Sequence, residues 1–311
     1  GINRPIRCTV NPAVTTGDIY KKQKVNKSCN VVVIGGGTAG LEAACTAAEV
    51  GCTTFLIEKK PYLGGLAAEI SKIPDKKRLA DFPNYLIHRA EGLKNLFVFT
   101  DTDASVHFVK NLKPNIIVNA TGSQPLLPPI SGLHENLGKE GSKVYSILDM
   151  INNLDQYPQD MTGKKVAVIG GGAVGLDVVE FFAPRGAKVS IVEMLPAIGN
   201  GIDPVSKVGT FSLMEQYGVR QMTKTALKEV RPDSFYVETP DGPEVLDFDY
   251  GFVCLGMKSA SPVLTDIQEA FASDNSVEIV NVGDSVRARR IIEGTDEGRN
   301  ILNTLEKRGY L

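Results

Sequence analysis

The sequence contains two copies of a segment built around a glycine cluster, and this repeat is the strongest constraint on its fold. The first copy reads VVVIGGGTAGLE from Val31 and the second reads VAVIGGGAVGLD from Val166, an offset of 135 residues. In each copy an apolar, β-branched run is followed by the glycines, a helical stretch and a second apolar run that ends in an acid. Both copies therefore predict a strand, a turn, a helix and a second, parallel strand. Further pairs at the same offset are Gly51 with Gly186, Glu58 with Glu193, Pro61 with Pro196 and Gly64 with Gly199.

The predicted fold class is α/β, with two Rossmann-like domains of three layers (ββα), the second inserted in the first. Continuous apolar strands are typical of parallel sheets that are covered on both faces. The proline- and glycine-rich segments SQPLLPPISGL and SASPVL separate the two units. The C-terminal strand and helix are too short for a domain of their own and should return to the first one. We predict a linker at 1–28, a first domain at 29–140 and 261–311, and an inserted domain at 141–260.

The first glycine cluster has the spacing of a dinucleotide-binding turn. Gly35 allows the tight turn, Gly37 lets the backbone approach a pyrophosphate, and Gly40 lets helix and strand pack closely. The N-terminus of the helix then holds the phosphates with free N–H groups and the positive end of its dipole. Glu58 follows at the distance of a carboxylate that accepts the adenosine ribose hydroxyls. The strand, helix and acid together favour this interpretation over a merely structural glycine turn.

The second cluster repeats the pattern with Gly170, Gly172, Gly175 and Glu193. An acid at the ribose position repels a 2′-phosphate, so NADH is favoured over NADPH. The alternative for Glu193 is an exposed acid at the end of a strand. Three basic residues would offset the repulsion if they folded back toward it: Arg185, Lys188 and Arg220.

A further set of small and acidic residues suits a flavin. The ATG sequence at Ala120, Thr121 and Gly122 provides a second small-residue turn, and Gly283 and Asp284 provide an acid for a ribityl hydroxyl. The final helix would direct its N-terminus at the flavin pyrimidine, where its dipole stabilises the negative charge of reduced flavin. The alternatives are a plain turn for the ATG sequence and a helix N-cap for Asp284.

Composition narrows the remaining function classes. The formal net charge is only −2, and the basic residues form no long stripe, which argues against nucleic acid as a partner. No apolar run approaches the roughly 18 residues of a membrane helix, and the N-terminus lacks the core of a signal peptide, so we expect a cytoplasmic protein and no membrane partner. Four cysteines lie in apolar patterns, where a thiol packs as a small hydrophobe: Cys29, Cys45, Cys52 and Cys254. The histidines are expected to be surface or packing residues rather than bases: His88, His107 and His134.

The motifs together resemble the two-dinucleotide-binding flavoproteins of the glutathione-reductase and thioredoxin-reductase type. The resemblance spans GGGTAGLEAA, IEKKPYLGG, NATGSQP, the inserted VIGGGAVGLDVVEFFAPRGAKVSIVE and VGDSVRARRIIEGTDEG. Within that group the sequence looks most like the C-terminal half of the old-yellow-enzyme-like NADH:flavin oxidoreductases, such as enoate reductase, dienoyl-CoA reductase and trimethylamine dehydrogenase. The opening PIRCTVNP carries this likeness, because those proteins place the last cysteine ligand of an iron–sulfur cluster in a CxxNP context.

By position, the resemblance makes Cys8 that last ligand, with the other ligands upstream at the end of an FMN-binding barrel. The sequence holds neither the barrel nor those cysteines, and a 4Fe–4S cluster needs four thiolates, so we expect a fragment of a longer protein. The residues implied for FAD are Gly35, Gly37, Thr38, Ala39, Gly40, Glu58, Lys59, Gly64, Gly65, Thr121, Gly122, Gly283 and Asp284. Those implied for NAD(H) are Gly170, Gly172, Ala173, Val174, Gly175, Glu193 and Gly256.

The function implied by the resemblance is hydride transfer from NADH to FAD. In the intact protein, electrons would continue through the cluster to FMN, which reduces an activated carbon–carbon double bond. Stacked nicotinamide and flavin rings need no acid or base from the protein, so no catalytic side chain is expected. Two alternatives remain: a non-catalytic module that holds ADP, as in trimethylamine dehydrogenase, and a disulfide or thioredoxin reductase, which is disfavoured because no redox cysteine pair follows Gly65. Association into a homo-oligomer is left open.

Overall fold

The computed structural model describes residues 6–12, 14 and 24–311 and divides the chain into two compact units. The first unit contains the described residues up to Gln124 together with Lys258–Leu311, and the second is Pro125–Met257. Residues 125–140, which we predicted in the first domain, belong to the second unit because Leu133 is buried in its core and Ser131 bridges to Glu229. The second boundary lies three residues before the predicted one. Much of the predicted linker at 1–28 lies outside the described residues.

The first unit is built on a parallel sheet with the strand order β15-β4-β1-β2-β3. Four of its strands come from the N-terminal part of the chain and the fifth from the C-terminal part, so the last segment completes the first unit as predicted. These strands are β1 (Asn30–Ile34), β2 (Thr53–Ile57), β3 (Leu96–Phe99), β4 (Ile116–Asn119) and β15 (Glu278–Asn281). Strands β1 and β4 are apolar and buried along almost their whole length, as the continuous apolar runs predicted.

Helices cover both faces of this sheet. One face packs on α1 and α3 and on the C-terminal helices, with Val31, Val33 and Leu41 in its core. The other face packs on α4 and α9 through Val109 and Ile267, so helices stand where we predicted a second β layer. The helices of this unit are α1 (Thr38–Glu49), α2 (Gly65–Ile70), α3 (Asp81–Glu91), α4 (Val106–Asn111), α9 (Leu264–Phe271), α10 (Ile291–Arg299) and α11 (Ile301–Lys307), with 3₁₀ turns at Pro74–Ala80 and Gly283–Ser285.

The second unit repeats the parallel plan in the order β6-β13-β7-β8-β9. Its central strands and first long helix begin 135 residues after β1, β2 and α1, which confirms the repeat. The parallel strands are β6 (Val144–Tyr145), β7 (Lys165–Ile169), β8 (Lys188–Val192), β9 (Arg220–Met222) and β13 (Tyr250–Val253). The helices are α5 (Leu133–Asn136), α6 (Ile147–Asn152), α7 (Ala173–Phe182) and α8 (Pro204–Gln216), with 3₁₀ turns at Leu154–Gln156 and Ala183–Arg185.

An antiparallel three-stranded sheet gives the second unit the predicted three layers. It consists of β10 (Ala226–Val230), β11 (Ser234–Thr239) and β12 (Gly242–Asp247), and its Phe235 and Val237 pack against Ile169 of the parallel sheet. The two crossings between the units are short strands, β5 (Ser123–Pro125) and β14 (Met257–Ser259). The predicted α/β class with Rossmann-like units is confirmed. Within the described residues, no helix is both long and apolar enough to cross a membrane.

Candidate functional site: two dinucleotide-binding turns

The first glycine turn joins β1 to α1 in a geometry that requires glycine. Gly35 has φ +108°, and a Cβ there would lie 2.3 Å from the carbonyl oxygen of Ala120. A Cβ at Gly40 would lie 1.9 Å from the carbonyl oxygen of Gly35, so this residue allows the helix to pack on the turn. Gly37 is the N-cap of α1 in an extended conformation, and no side chain in the described part of the chain caps the helix there. The first N–H groups of α1 are therefore offered to a ligand.

Glu58, at the end of β2, is tied to this turn by backbone donors. Its Oε2 accepts from the N–H of Gly36 at 2.6 Å and its Oε1 from the N–H of Lys60 at 2.8 Å. Each carboxylate oxygen keeps a further lone pair for a ribose hydroxyl. Sequence reasoning missed Gly36, whose place is fixed because a Cβ there would lie 2.5 Å from Leu63 and 3.1 Å from Glu58.

A second glycine pair lies against the same turn. The N–H of Gly64 donates to the carbonyl oxygen of Gly36 at 2.8 Å, and a Cβ at Gly65 would lie 2.8 Å from the Cα of Gly37. Lys59 was implied for the flavin by resemblance, but its side chain is 81% exposed and pairs with Asp103 at 3.4 Å.

The ATG and GD turns meet at the carboxyl ends of β4 and β15. Ser123 Oγ donates to Asp284 Oδ2 at 2.9 Å, and the N–H of Arg289 donates to Oδ1 at 3.0 Å. A Cβ at Gly283 would lie 2.7 Å from the Cβ of Ala39 in the first turn of α1. The structure thus brings the predicted flavin residues of distant segments together at one edge of the sheet, where ligands bind in open α/β sheets.

The second unit repeats the geometry of the first glycine turn. Gly170 also has φ +108°, and a Cβ there would lie 2.1 Å from the carbonyl oxygen of Cys254. Glu193 accepts from the N–H groups of Gly171 and Leu195, both at 2.8 Å. The N–H of Gly199 donates to the carbonyl oxygen of Gly171 at 2.7 Å, as Gly64 does in the first unit. Glu193 is therefore a fixed part of the turn rather than a free acid at a strand end.

A cavity of about 520 Å³ opens above this second turn. Its size is that of a small-molecule site. Of the residues predicted for NAD(H), it is lined by Gly170, Gly172, Ala173, Val174, Glu193 and Gly256. Sequence reasoning missed its apolar wall, which includes Leu126, Pro128, Ile130, Met194, Leu195, Leu227 and Leu255. These residues come from separate loops and strands, so no local pattern in the sequence groups them.

The basic residues that could offset the charge of Glu193 have other partners or positions. Arg220 forms a two-bond ion pair with Glu244 at 2.6 and 2.9 Å. Arg185 donates to the carbonyl oxygen of Phe181 and stacks on its ring at 3.6 Å. Lys188 begins β8, whereas Glu193 follows its other end. None of the three is directed to the ribose position, which leaves the charge of Glu193 uncompensated by them.

Among the remaining candidate residues, Cys254 adjoins the second turn through its carbonyl oxygen and lines the cavity. His88 is 90% exposed on its side chain, and His107 and His134 are also exposed, as predicted. Cys29, Cys45, Cys52 and Cys254 are buried in the cores, also as predicted. Cys8 is half-buried, and its neighbour Arg7 pairs with Asp296 and, at 3.1 Å, with Glu293.

The residues present fit two dinucleotides. Each unit combines a glycine turn without room for Cβ atoms on its protein side, an uncapped helix N-terminus and a fixed carboxylate. At Gly172 a Cβ would meet nothing within 4 Å, so the ligand side of the second turn is open. These are the groups that bind a pyrophosphate and a ribose.

Similarity to proteins of known sequence and structure agrees with this geometry. The chain is 32% identical over 303 residues to an NADH oxidase of Thermoanaerobacter brockii, covering 95% of this chain and 44% of the relative. It is 32% identical over 277 residues to a bilirubin reductase of Mediterraneibacter gnavus, covering 88% and 40%. The chain therefore spans less than half the length of these relatives.

Solved structures share the fold along almost the whole chain. A 2-naphthoyl-CoA reductase complex is similar with a TM-score of 0.80 at 24% identity, covering 98% of this chain and 43% of that one. Histamine dehydrogenase from Rhizobium sp. 4-9 gives a TM-score of 0.80 at 20% identity, covering 96% and 45%. A family model described as pyridine nucleotide-disulphide oxidoreductase matches residues 6–81 and 29–283. The chain belongs to the pyridine nucleotide-disulphide oxidoreductase family, whose members bind FAD and NAD(P)H.

Proposed function

We propose that this chain is the FAD- and NADH-binding electron-input module of a longer NADH:flavin oxidoreductase of the enoate and dienoyl-CoA reductase type. The observation that carries the proposal is the duplicated site: two glycine turns, each with a carboxylate that two backbone N–H groups hold in the same arrangement. A structural turn would not need the same fixed acid twice.

In the first unit, the N-terminus of α1 binds the diphosphate of FAD and Glu58 accepts its adenosine ribose. Thr121, Gly122 and Asp284 border the ribityl and flavin part. When bound, FAD would supply the chemistry of two-electron hydride transfer and of one-electron transfer. The side chains bind and orient the two coenzymes and need supply no acid or base.

In the second unit, the N-terminus of α7 and Glu193 bind the diphosphate and adenosine ribose of NADH, with Ala173, Val174 and Gly256 lining the cavity. The charge of Glu193 repels a 2′-phosphate, and Arg185, Lys188 and Arg220 are not directed to relieve that repulsion. We therefore propose NADH as the preferred donor.

The parent protein would carry the final acceptor chemistry. The lengths of the relatives leave room for a further domain, and one of these relatives is named a bilirubin reductase. We propose that Cys8 is the last ligand of an iron–sulfur cluster completed by an FMN-binding barrel, and that the parent reduces a carbon–carbon double bond.

The test is anaerobic titration of the purified, FAD-reconstituted protein with NADH and then NADPH, followed by flavin absorbance. We expect NADH to bleach the flavin absorbance stoichiometrically and NADPH to bleach it more slowly. Failure of both to reduce the flavin would remove the enzymatic proposal. A colourless protein that refuses FAD and releases ADP on denaturation would instead support the nucleotide-binding alternative.

A further inference from the structure

A buried amide lies between the two turns that border the proposed flavin site. Asn119 ends β4, and it is only 1% exposed. Its side-chain nitrogen donates to Asn281 Oδ1 at 2.9 Å and to Ser261 Oγ at 3.1 Å. The Thr121 hydroxyl lies 3.1 Å from Asn119 Oδ1 and 2.5 Å from the carbonyl oxygen of Ala260, so its proton is shared between two acceptors. Both donors of the amide are in use, and its acceptor oxygen faces the Thr121 hydroxyl.

The main chain of Asn119 adds to the same network. Its carbonyl oxygen accepts from the N–H of Val282 at 3.0 Å and lies 2.9 Å from Ser285 Oγ, whose proton it shares with the carbonyl oxygen of Val282 at 2.7 Å. One residue thus joins the ATG turn, the segment where the chain re-enters the first unit at 260–261, and the GD turn after β15. The bond from Ser123 to Asp284 links the same two turns a second time.

The position of this network distinguishes it from ordinary core packing. Buried polar groups cost free energy unless satisfied, and an apolar side chain of similar size would serve the core as well or better. A fully satisfied network instead fixes one geometry among segments that are distant in sequence. Here it fixes the carboxyl ends of β4 and β15, the edge at which ligands bind in a parallel sheet.

We propose that Asn119 is a positioning residue of the flavin site, holding the turn at Thr121–Gly122 and the turn at Gly283–Asp284 in the register that FAD requires. The inference rests on the proposed function of the first unit. Asn119 acts through its neighbours, by setting the two turns.

The chain offers a matched control at the opposite end of the same sheet. Asn30 begins β1, and its side-chain nitrogen donates to the carbonyl oxygens of Leu112 at 3.0 Å and Lys113 at 3.2 Å. Asn30 therefore also joins separate segments through an amide with two donor bonds. It lies at the amino end of the strands, away from the proposed flavin site.

The experiment compares Asn119→Ala, Asn119→Asp and Asn30→Ala with the wild-type chain. FAD is titrated into each apoprotein, the visible circular dichroism of the bound flavin is recorded, and thermal unfolding is measured without FAD. Asn119→Asp keeps the size and the acceptor oxygen but replaces both amide donors with a second, charged acceptor oxygen. We expect both alanine variants to lower Tm, but only the Asn119 variants to weaken FAD binding, by roughly tenfold, as for one lost net hydrogen bond. The dichroism should change for the Asn119 variants alone.

Equal FAD affinity and unchanged dichroism in Asn119→Ala and Asn30→Ala would overturn the inference while leaving the proposed function intact. If Asn119→Ala does not fold, Ser261→Ala and Asn281→Ala are measured in the same way, because each removes one acceptor of the network. Weaker FAD binding with changed dichroism would support the inference, and unchanged affinity and dichroism would overturn it. A wild-type chain that does not take up FAD would overturn the proposed function, and this inference with it.

Discussion

Gly298 approaches Ala39 so closely that a Cβ at Gly298 would lie 2.5 Å from the carbonyl oxygen of Ala39. The contact joins α10 to the first turn of α1, and Gly294 faces the same Ala39 one turn earlier, at 3.2 Å from its Cβ. The two helices can pack this closely because Gly294 and Gly298 have no side chains. In the proposed function the N-terminus of α1 binds FAD, and the sequence predicts that the final helix also directs its N-terminus at the flavin, so the separation of the two helices would be a property of the site.

Gly298→Ala should destabilise the first unit and weaken FAD binding. The added methyl group has no space, and over-packing of this kind costs typically 1–3 kcal/mol, which exceeds the roughly 1 kcal/mol that alanine gains over glycine in a helix. Denaturant unfolding and FAD titration measure the two effects. The control is Gly209→Ala in α8, where a Cβ meets nothing within 4 Å, so that variant should be neutral or slightly stabilised. Equal stabilities for the two variants would contradict the tight contact.

Glu58→Gln and Glu193→Gln should each affect one coenzyme. A glutamine has one acceptor oxygen, so it can no longer accept from both backbone N–H groups and a ribose as the carboxylate does. Glu58→Gln should weaken FAD binding by roughly tenfold. Glu193→Gln should weaken NADH binding by roughly tenfold and lower the ratio of NADH affinity to NADPH affinity by roughly the same factor. Separate titrations of the apoprotein with FAD, NADH and NADPH check all three effects. If Glu193→Gln left the preference for NADH unchanged, another group would have to set it.

The acid stability of the first unit should depend on Glu69. This carboxylate is 4% exposed and accepts from Lys60 Nζ at 2.7 Å, Lys72 Nζ at 2.6 Å and the Tyr62 hydroxyl. Burial raises the pKa of Glu69, but the hydrogen bonds from Lys60, Lys72 and Tyr62 outweigh burial and lower the pKa to about 2, from an ordinary value of 4.5.

Because the folded pKa is lowered, this stabilisation is complete above pH 4.5 and is lost as the pH falls toward 2. The shift corresponds to roughly 3 kcal/mol at most. Urea unfolding of the wild type and Glu69→Gln should therefore differ at neutral pH and converge near pH 2, whereas the exposed Glu135→Gln should follow the wild type throughout. A constant difference between wild type and Glu69→Gln at all pH values would exclude this linkage.

Much of the fold could be predicted because the repeat is local. The order of strand, turn, helix and acid fixes Gly35, Gly40 and Glu58 within one βαβ unit, and the same spacing carries the prediction to the second. Side chains that the tertiary structure assembles were not predictable in this way. Asn119 meets Asn281 and Ser261 from more than 140 residues away, and nothing in the local pattern distinguishes it from a strand residue.

Two differences from prediction have the same origin. Residues 125–140 contain most of the proline-rich segment SQPLLPPISGL, after which we predicted the boundary. The N–H of Leu126 instead bonds to the carbonyl oxygen of Gly256, and Leu133 enters the second core. Lys59 follows the ribose acid and was implied for FAD, but its long side chain reaches solvent and Asp103. In both cases packing sets the direction of the chain or of the side chain, and the local sequence does not show that direction.

Gly172 and Gly175 lie one helical turn apart, and they should separate ligand binding from folding. A Cβ at Gly172 meets nothing within 4 Å, and its φ of −81° is open to any residue, so Gly172→Ala should fold with unchanged stability. The added methyl group would occupy the ligand side of the turn, where the second glycine lets a pyrophosphate approach the backbone. NADH binding should therefore weaken by roughly tenfold or more.

Gly175→Ala should do the reverse. A Cβ there would lie 1.9 Å from the carbonyl oxygen of Gly170, so α7 would have to move off β7. Thermal unfolding in the absence of NADH should therefore show a loss of stability for this variant. Isothermal titration with NADH, next to thermal unfolding of each variant, measures both properties on one preparation. If Gly172→Ala bound NADH as the wild type does, the proposed contact between the diphosphate and this turn would be wrong.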